Sequence, residues 1–101
     1  MKIINPATEE LIREVPEDGE ATVAEKFRRL KEGQPVWAAL KVEERIACIA
    51  RFYDLLEEQK QELAEALTSE TGKPIGQSYN ELSGARNRIR YFTDQSEKWL
   101  A

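Results

Sequence analysis

The 101-residue sequence has no histidine and only one cysteine, Cys48. A disulfide framework needs paired cysteines. A structural zinc site needs several Cys or His ligands. Ser-His-Asp and Cys-His catalysis both need a histidine base. None of these can be assembled from the residues present, so no residue is expected to be catalytic, cofactor-binding or metal-ligating. A single Cys fits a reducing, cytoplasmic setting. No apolar run has the length of a signal-peptide core or a membrane span, which predicts no membrane partner. A basic footprint is missing as well. Lys and Arg number 15 against 19 Asp and Glu, a net charge of -4 spread along the chain, and that balance argues against nucleic acid. There is no Gly-rich dinucleotide fingerprint, no internal repeat and no low-complexity stretch.

What is present is a helix-rich globular balance, 41% hydrophobic and 34% charged. The length predicts one domain, residues 1–101, with a modest core. The fold class read from the pattern is mainly α: a short N-terminal β-hairpin followed by about four helices, the last one long. Residues 1–16, "MKIINPATEELIREVP", carry the hairpin signal. Ile3 and Ile4 are β-branched, Leu11, Arg13 and Val15 alternate with Ile12 and Glu14, and Asn5-Pro6-Ala7-Thr8 is turn chemistry. Pro16 closes the second strand. Two such strands are marginal alone and must lie against something else.

The helical periodicity predicts helices over 20–34, 42–59, 60–72 and 74–100. In the first, Val23, Phe27 and Leu30 share a face, Asp18 or Thr22 is placed to cap it, and Gly33 and Pro35 are expected to stop it. Trp37 then falls in a short connector, where a large indole fills a gap between helices. The second helix has Val42, Ile46, Ile49, Tyr53 and Leu56 in line. Ala47, Ala50, Phe52 and Leu55 widen the stripe, which predicts cover on more than one side. In the third, Leu63, Ala66 and Leu67 face inward. The last places Ile75, Tyr79, Leu82, Ala85 or Arg86, Ile89, Phe92, Ser96 and Trp99 along one seam of near-heptad spacing. At 1.5 Å per residue it would be roughly 40 Å long, more than a globule of this size needs.

The stretch "SETGKPIG", Ser69 to Gly76, raises the question of a phosphate loop. A Walker-type loop needs a glycine five residues before the Gly-Lys and Ser or Thr after the Lys. Leu67 and Pro74 occupy those positions. The alternative is helix punctuation: Gly72 as a left-handed C-cap, Lys73 beside the negative helix end, and Pro74 opening the next helix. That is the reading adopted.

Other candidates for chemistry have plain structural explanations. Cys48 lies among Ile46, Ala47, Ile49 and Ala50, so it is expected to be an inert core thiol. Glu43, Glu44, Glu57, Glu58, Glu62 and Glu65 would form solvated faces with Arg45, Arg51 and Lys60 instead of a carboxylate pair for catalysis. Arg86, Arg88 and Arg90, beside Tyr91 and Phe92, read as a charged helix face of an acidic chain.

The same residues carry a family resemblance. "INPATEELIREVP", "WAAL", "EERIACIARFYDLLEEQKQELAEALTSETGKP" and "RYFTDQSEKWLA" resemble, in order and without gaps, the amino-terminal region of aldehyde dehydrogenases. The "NPAT" turn and the "ETGKP" junction are the most specific parts. The resemblance implies descent from enzymes that oxidise an aldehyde to an acid with NAD or NADP, through a cysteine thiolate, a hydride transfer and a glutamate-activated water. The family's catalytic and cofactor-binding residues lie downstream of the region matched, and no position here corresponds to them. The expectation is therefore a structural part of an oxidoreductase, non-catalytic by itself and holding no cofactor of its own. In the family this region lies against the cofactor-binding domain, and Ala101 falls about where the lead-in to that domain begins. An orphaned apolar face is expected, drawn from Ile3, Leu11, Val15, Tyr91, Phe92 and Trp99. Tyr91, Phe92 and Trp99 are the candidate interface residues. The expected partner is a further copy of the chain, in a homo-oligomer, or the missing cofactor and catalytic domain. The alternative is a stand-alone helical module that binds itself or another protein. A weaker implication of the "INPAT" start and "RYF" end is succinate semialdehyde as the parent substrate.

Overall fold

Asn5 organises the first turn. Its Oδ1 accepts the backbone N–H of Ala7 at 2.9 Å, the Asx geometry that lets asparagine imitate a turn. Its own N–H and C=O bond to Glu10 O and Glu9 N at 2.9 and 2.8 Å. In this computed structural model, which describes residues 1–100, the turn joins two antiparallel strands, β1 (Lys2–Ile4) and β2 (Leu11–Glu14). The register pairs Lys2 with Glu14, Ile3 with Arg13 and Ile4 with Leu11. Ile12 is left without a partner, a bulge that interrupts the alternation read from the sequence. Four helices follow: α1 (Glu20–Ala39), α2 (Val42–Glu58), α3 (Lys60–Thr71) and α4 (Ile75–Leu100). The molecule is mainly α with a small N-terminal hairpin and a long last helix.

"ETGKP" is helix punctuation. Gly72 caps α3 in the left-handed region (φ 73°, ψ 7°) and donates its N–H to Thr68 O at 2.8 Å. Pro74 O accepts the first backbone bond of α4, from Gln77 N at 2.9 Å. The hairpin turn sits on this junction, and a Cβ on Gly72 would lie 2.9 Å from Pro6 Cγ. Glycine is thus required twice at this position, by its backbone angle and by the close approach of the turn. Arg13 and Glu70 form an ion pair at 3.4 Å beside it. The two stretches that carry the family resemblance most specifically are in contact here.

α3 and α4 pack as a short antiparallel hairpin. Ala64 and Ser78 are the two buried residues among those described. The Thr68 and Ser78 hydroxyls share a 2.8 Å hydrogen bond. Ala64, with half-buried Leu63 and Leu67, takes the inward place expected of Ala66, which is exposed. α2 lies across α4, clamped by Arg86. The Arg86 guanidinium stacks 4.1 Å over the Tyr53 ring, donates to Tyr53 O at 3.3 Å and pairs with Glu57.

α1 departs from expectation. It continues through Gly33 and Pro35 to Ala39, so Trp37 is in its last turn and not in a connector. Proline inside a helix removes one hydrogen bond. Nothing on α1 is buried, so the carbonyl that loses its donor faces water, and the helix tolerates the break. Its N-cap is Gly19, while Asp18 pairs with Lys26 and Thr22 Oγ1 donates to Gly19 O at 2.8 Å. The Val23–Phe27–Leu30 stripe forms as read, but nothing covers it: Phe27 is 64% and Leu30 74% exposed. Cys48 is likewise a free, exposed thiol and not a core residue. The physical reason is the same, since α1 does not cover the outer side of α2.

The radius of gyration is 17.7 Å and the extents are 50 × 38 × 19 Å. A compact domain of about 100 residues has a radius near 13 Å. The accessible surface is 8103 Å², against about 5800 Å² for a compact monomer of this mass. The excess, about 2300 Å², is surface the segment has folded without covering.

Candidate functional site

The uncovered surface concentrates where α1 ends, α2 begins and α4 finishes. An open groove of about 210 Å³ lies there. Trp37 forms one wall, Val42, Ile46 and Ile49 of α2 the floor, and Phe92 and Leu100 of α4 the far wall. Local signals place these walls. Glu44 accepts the Lys41 backbone N–H at 2.8 Å, the N3 half of a capping box that starts α2 where Val42 meets the groove. The three- and four-residue steps from Val42 through Ile49 then keep one face toward α4.

The lining is apolar apart from Arg45, Thr93 and Ser96. The Ser96 hydroxyl is spent on Phe92 O at 2.6 Å. Arg45 is different. Its Nε is shut off from solvent with no hydrogen-bond partner. Charged pairs elsewhere on α2 and α3 are made: Arg51 with Glu58 at 2.8 Å and Lys60 with Glu57 at 3.7 Å. From its glutamate neighbours Arg45 is expected on a solvated face. It is half-buried, at the rim of the apolar stripe. The signal was there in the spacing, since Arg45 lies four residues before Ile49 and eight before Tyr53.

The three residues expected to form an interface do come together. Tyr91, Phe92 and Trp99 form a triangle of edge-to-face rings, with centroids 5.5 Å (Tyr91–Phe92), 5.9 Å (Tyr91–Trp99) and 6.1 Å (Phe92–Trp99) apart. All three are more than half exposed. Of them only Phe92 reaches the groove. The inward seam of α4 passes through half-buried Thr93 and not through Phe92 or Trp99, and Ile75 is also exposed. The other expected members of the apolar face divide: Leu11 is exposed, and Ile3 and Val15 are half-buried in the hairpin. Arg86 belongs to the α2–α4 clamp, and Arg90 approaches Asp94 at 4.0 Å.

No group of three or more His, Cys, Asp or Glu side chains that could hold a metal ion occurs among the described residues. No helix among them is long and apolar enough to cross a membrane. What the surface offers chemically is recognition: an aromatic and aliphatic trough with one unpaired cation set in it.

The family model described as "Aldehyde dehydrogenase family" matches residues 1–101. A glutarate-semialdehyde dehydrogenase of Pseudomonas putida is 33% identical over 98 residues, 97% of this chain and 20% of the relative. A succinate semialdehyde dehydrogenase of Acinetobacter baylyi is 33% identical over 95% of this chain and 20% of the relative. A 5-carboxymethyl-2-hydroxymuconate semialdehyde dehydrogenase of Escherichia coli is 38% identical over 89% of this chain and 19% of the relative. The chain spans about a fifth of the length of the curated relatives it matches.

Proposed function

The chain belongs to the aldehyde dehydrogenase family, and from that premise we propose that it is the amino-terminal structural part of an NAD(P)-dependent aldehyde dehydrogenase. In this reading it performs no chemistry itself. It supplies a hairpin and a helical face against which the cofactor-binding and catalytic parts are built, in a reducing, cytoplasmic setting. NAD or NADP would be held by those other parts. The observation that carries the reading is the pairing of about 2300 Å² of uncovered surface with relatives some five times as long. The substrate class proposed for the whole enzyme is a semialdehyde, an aldehyde that also bears a carboxyl group, because several relatives are named for such substrates.

A second reading is favoured by the exposed Tyr91–Phe92–Trp99 triangle: a self-associating module derived from the same fold. The two separate on the intact mass of the native protein. A species several times 11.6 kDa, with NAD(P)-dependent semialdehyde oxidation, supports the first. A species at 11.6 kDa that runs as a defined oligomer, with the oligomer lost in Trp99→Ala and helix content kept, supports the second. Turnover by the isolated chain that Cys48→Ser abolishes would overturn both.

A further inference from the structure

We propose that the groove between α2 and the end of α4 seats an apolar segment carrying a carboxylate, supplied by the part of the enzyme outside this chain, and that Arg45 is its anchor. The inference deepens the structural reading above and rests on it. Its basis is the state of Arg45. An arginine is always charged, and burying a charged donor without a partner is costly. Here Nε is enclosed and the side chain lines the groove, while the guanidinium makes no ion pair with any described residue. The terminal nitrogens of the fork are the donors an incoming group can reach, and a negative charge set on them also answers the delocalised charge that Nε shares. A carboxylate takes such a fork in two parallel hydrogen bonds, the pairing for which arginine geometry is suited. Around it, Trp37, Ile46, Ile49 and Phe92 provide an apolar surround, and an occupant that covered it would shield such a pair from competing water and salt.

The occupant is argued by charge and by area. A second copy placed groove to groove about a two-fold axis brings Arg45 toward its own equivalent, and no acidic residue lines the groove to answer it. An excess of about 2300 Å² also exceeds the roughly 800 Å² that each partner contributes to an interface of standard size. It suits a domain-sized cover. The chemistry required of that cover is an apolar stretch with a single Asp or Glu facing Arg45.

The test is a chimera carrying residues 1–101 in place of the matching segment of the Pseudomonas putida relative. The expected result is an active NAD(P)-dependent enzyme. In it, Arg45→Met lowers the melting midpoint by at least about 3 °C, and Arg45→Lys, which keeps the charge but not the fork, falls between. The same Arg45→Met change does not lower the melting midpoint of the isolated chain, where it removes an unpartnered donor. An active chimera indifferent to Arg45→Met overturns the anchor while the structural reading stands. An isolated chain that dimerises and loses the dimer on Arg45→Met places a second copy in the groove and overturns it too. Should the chimera not fold, the separate 101-residue chain mixed with the remaining four-fifths of the relative gives a binding readout. Capture weakened about tenfold or more by Arg45→Met upholds the anchor. Capture unaffected by the change overturns the anchor alone, and no capture at all overturns the reading on which it rests.

Discussion

One helix, α4, runs through two different environments. Its first half has a buried Ser78 and half-buried Tyr79, Leu82, Arg86 and Ile89. Its last turns expose Phe92, Trp99 and Leu100 at 52 to 65%. The sequence is as apolar at the exposed end as at the covered one. What differs is the source of the partner. The first half is met by α3, joined to it through Gly72–Pro74, and by a hairpin turn that reaches the same junction. The last turns require a partner beyond their neighbours in sequence, and only α2 supplies one, on one side. Covered surface is therefore a property of what comes to meet a helix and not of the helix itself.

The largest expected effect breaks the covered end. Gly72→Ala forces a side chain into the left-handed region and toward Pro6 Cγ. The backbone alone should cost about 1–2 kcal/mol. Hydrogen exchange should show the Asn5 and Glu9 amides losing protection as the hairpin turn lifts away. Retained protection would mean that the turn does not depend on this approach. Ala64→Leu overfills the α3–α4 contact, at about 1–3 kcal/mol in a urea melt. An unchanged midpoint would show that the contact is loose. Arg86→Met removes the stack on Tyr53 and the link to Glu57. At partial exposure this should be worth about 1 kcal/mol, read as a lower thermal midpoint.

The open end sharpens the contrast by doing little. Phe27→Ser and Trp99→Ser each remove a large apolar side chain, yet in the isolated chain each should change stability by less than about 0.5 kcal/mol, as surface positions do. A loss comparable to that of Ala64→Leu would show that α1 or the aromatic triangle is already covered. The smallest effect is electrostatic. The hydrogen bond from Lys26, opposed by desolvation and helped by Thr22, holds the Asp18 carboxyl below its ordinary value. A depressed carboxylate contributes stability that is present above the unfolded value, about 3.9, and is lost as pH falls through the lower folded one. Acid should loosen the start of α1 across that low window, and Asp18→Asn should abolish this part of the pH dependence. A chemical-shift titration of the Glu20 and Ala21 amides reads it.

Local features were legible in the residues. The Asn5 turn, the Gly72 cap and the three helices after Ala39 follow from residue types whose preferences operate over a few positions. The end of α1 was not legible, since Gly33 and Pro35 are helix-stopping residue types and the helix runs through both to Ala39. The core place expected of Cys48, the solvated place of Arg45 and the inward place of Phe92 differ from the structure for one common reason. Periodicity locates a stripe, but its edges are decided by the neighbour. Cys48 would be inside if α1 folded back over α2. Arg45 would be a solvated charge if its stem did not lie beside α4. Phe92 would be inside if α4 turned that face toward its neighbours, and the adjacent Thr93 is turned inward instead.

By itself the sequence determined the order and kind of the elements, the turn at Asn5, the glycine at the α3–α4 junction and the family likeness, because each rests on interactions within a few residues or on residue identity. Only the tertiary structure decided that the Pro6 turn rests on Gly72, that α1 stands uncovered, and that Arg45 sits without a partner in an apolar groove. Those outcomes depend on which distant surfaces meet. Burial is a relation between two surfaces, and a chain states only one of them at a time.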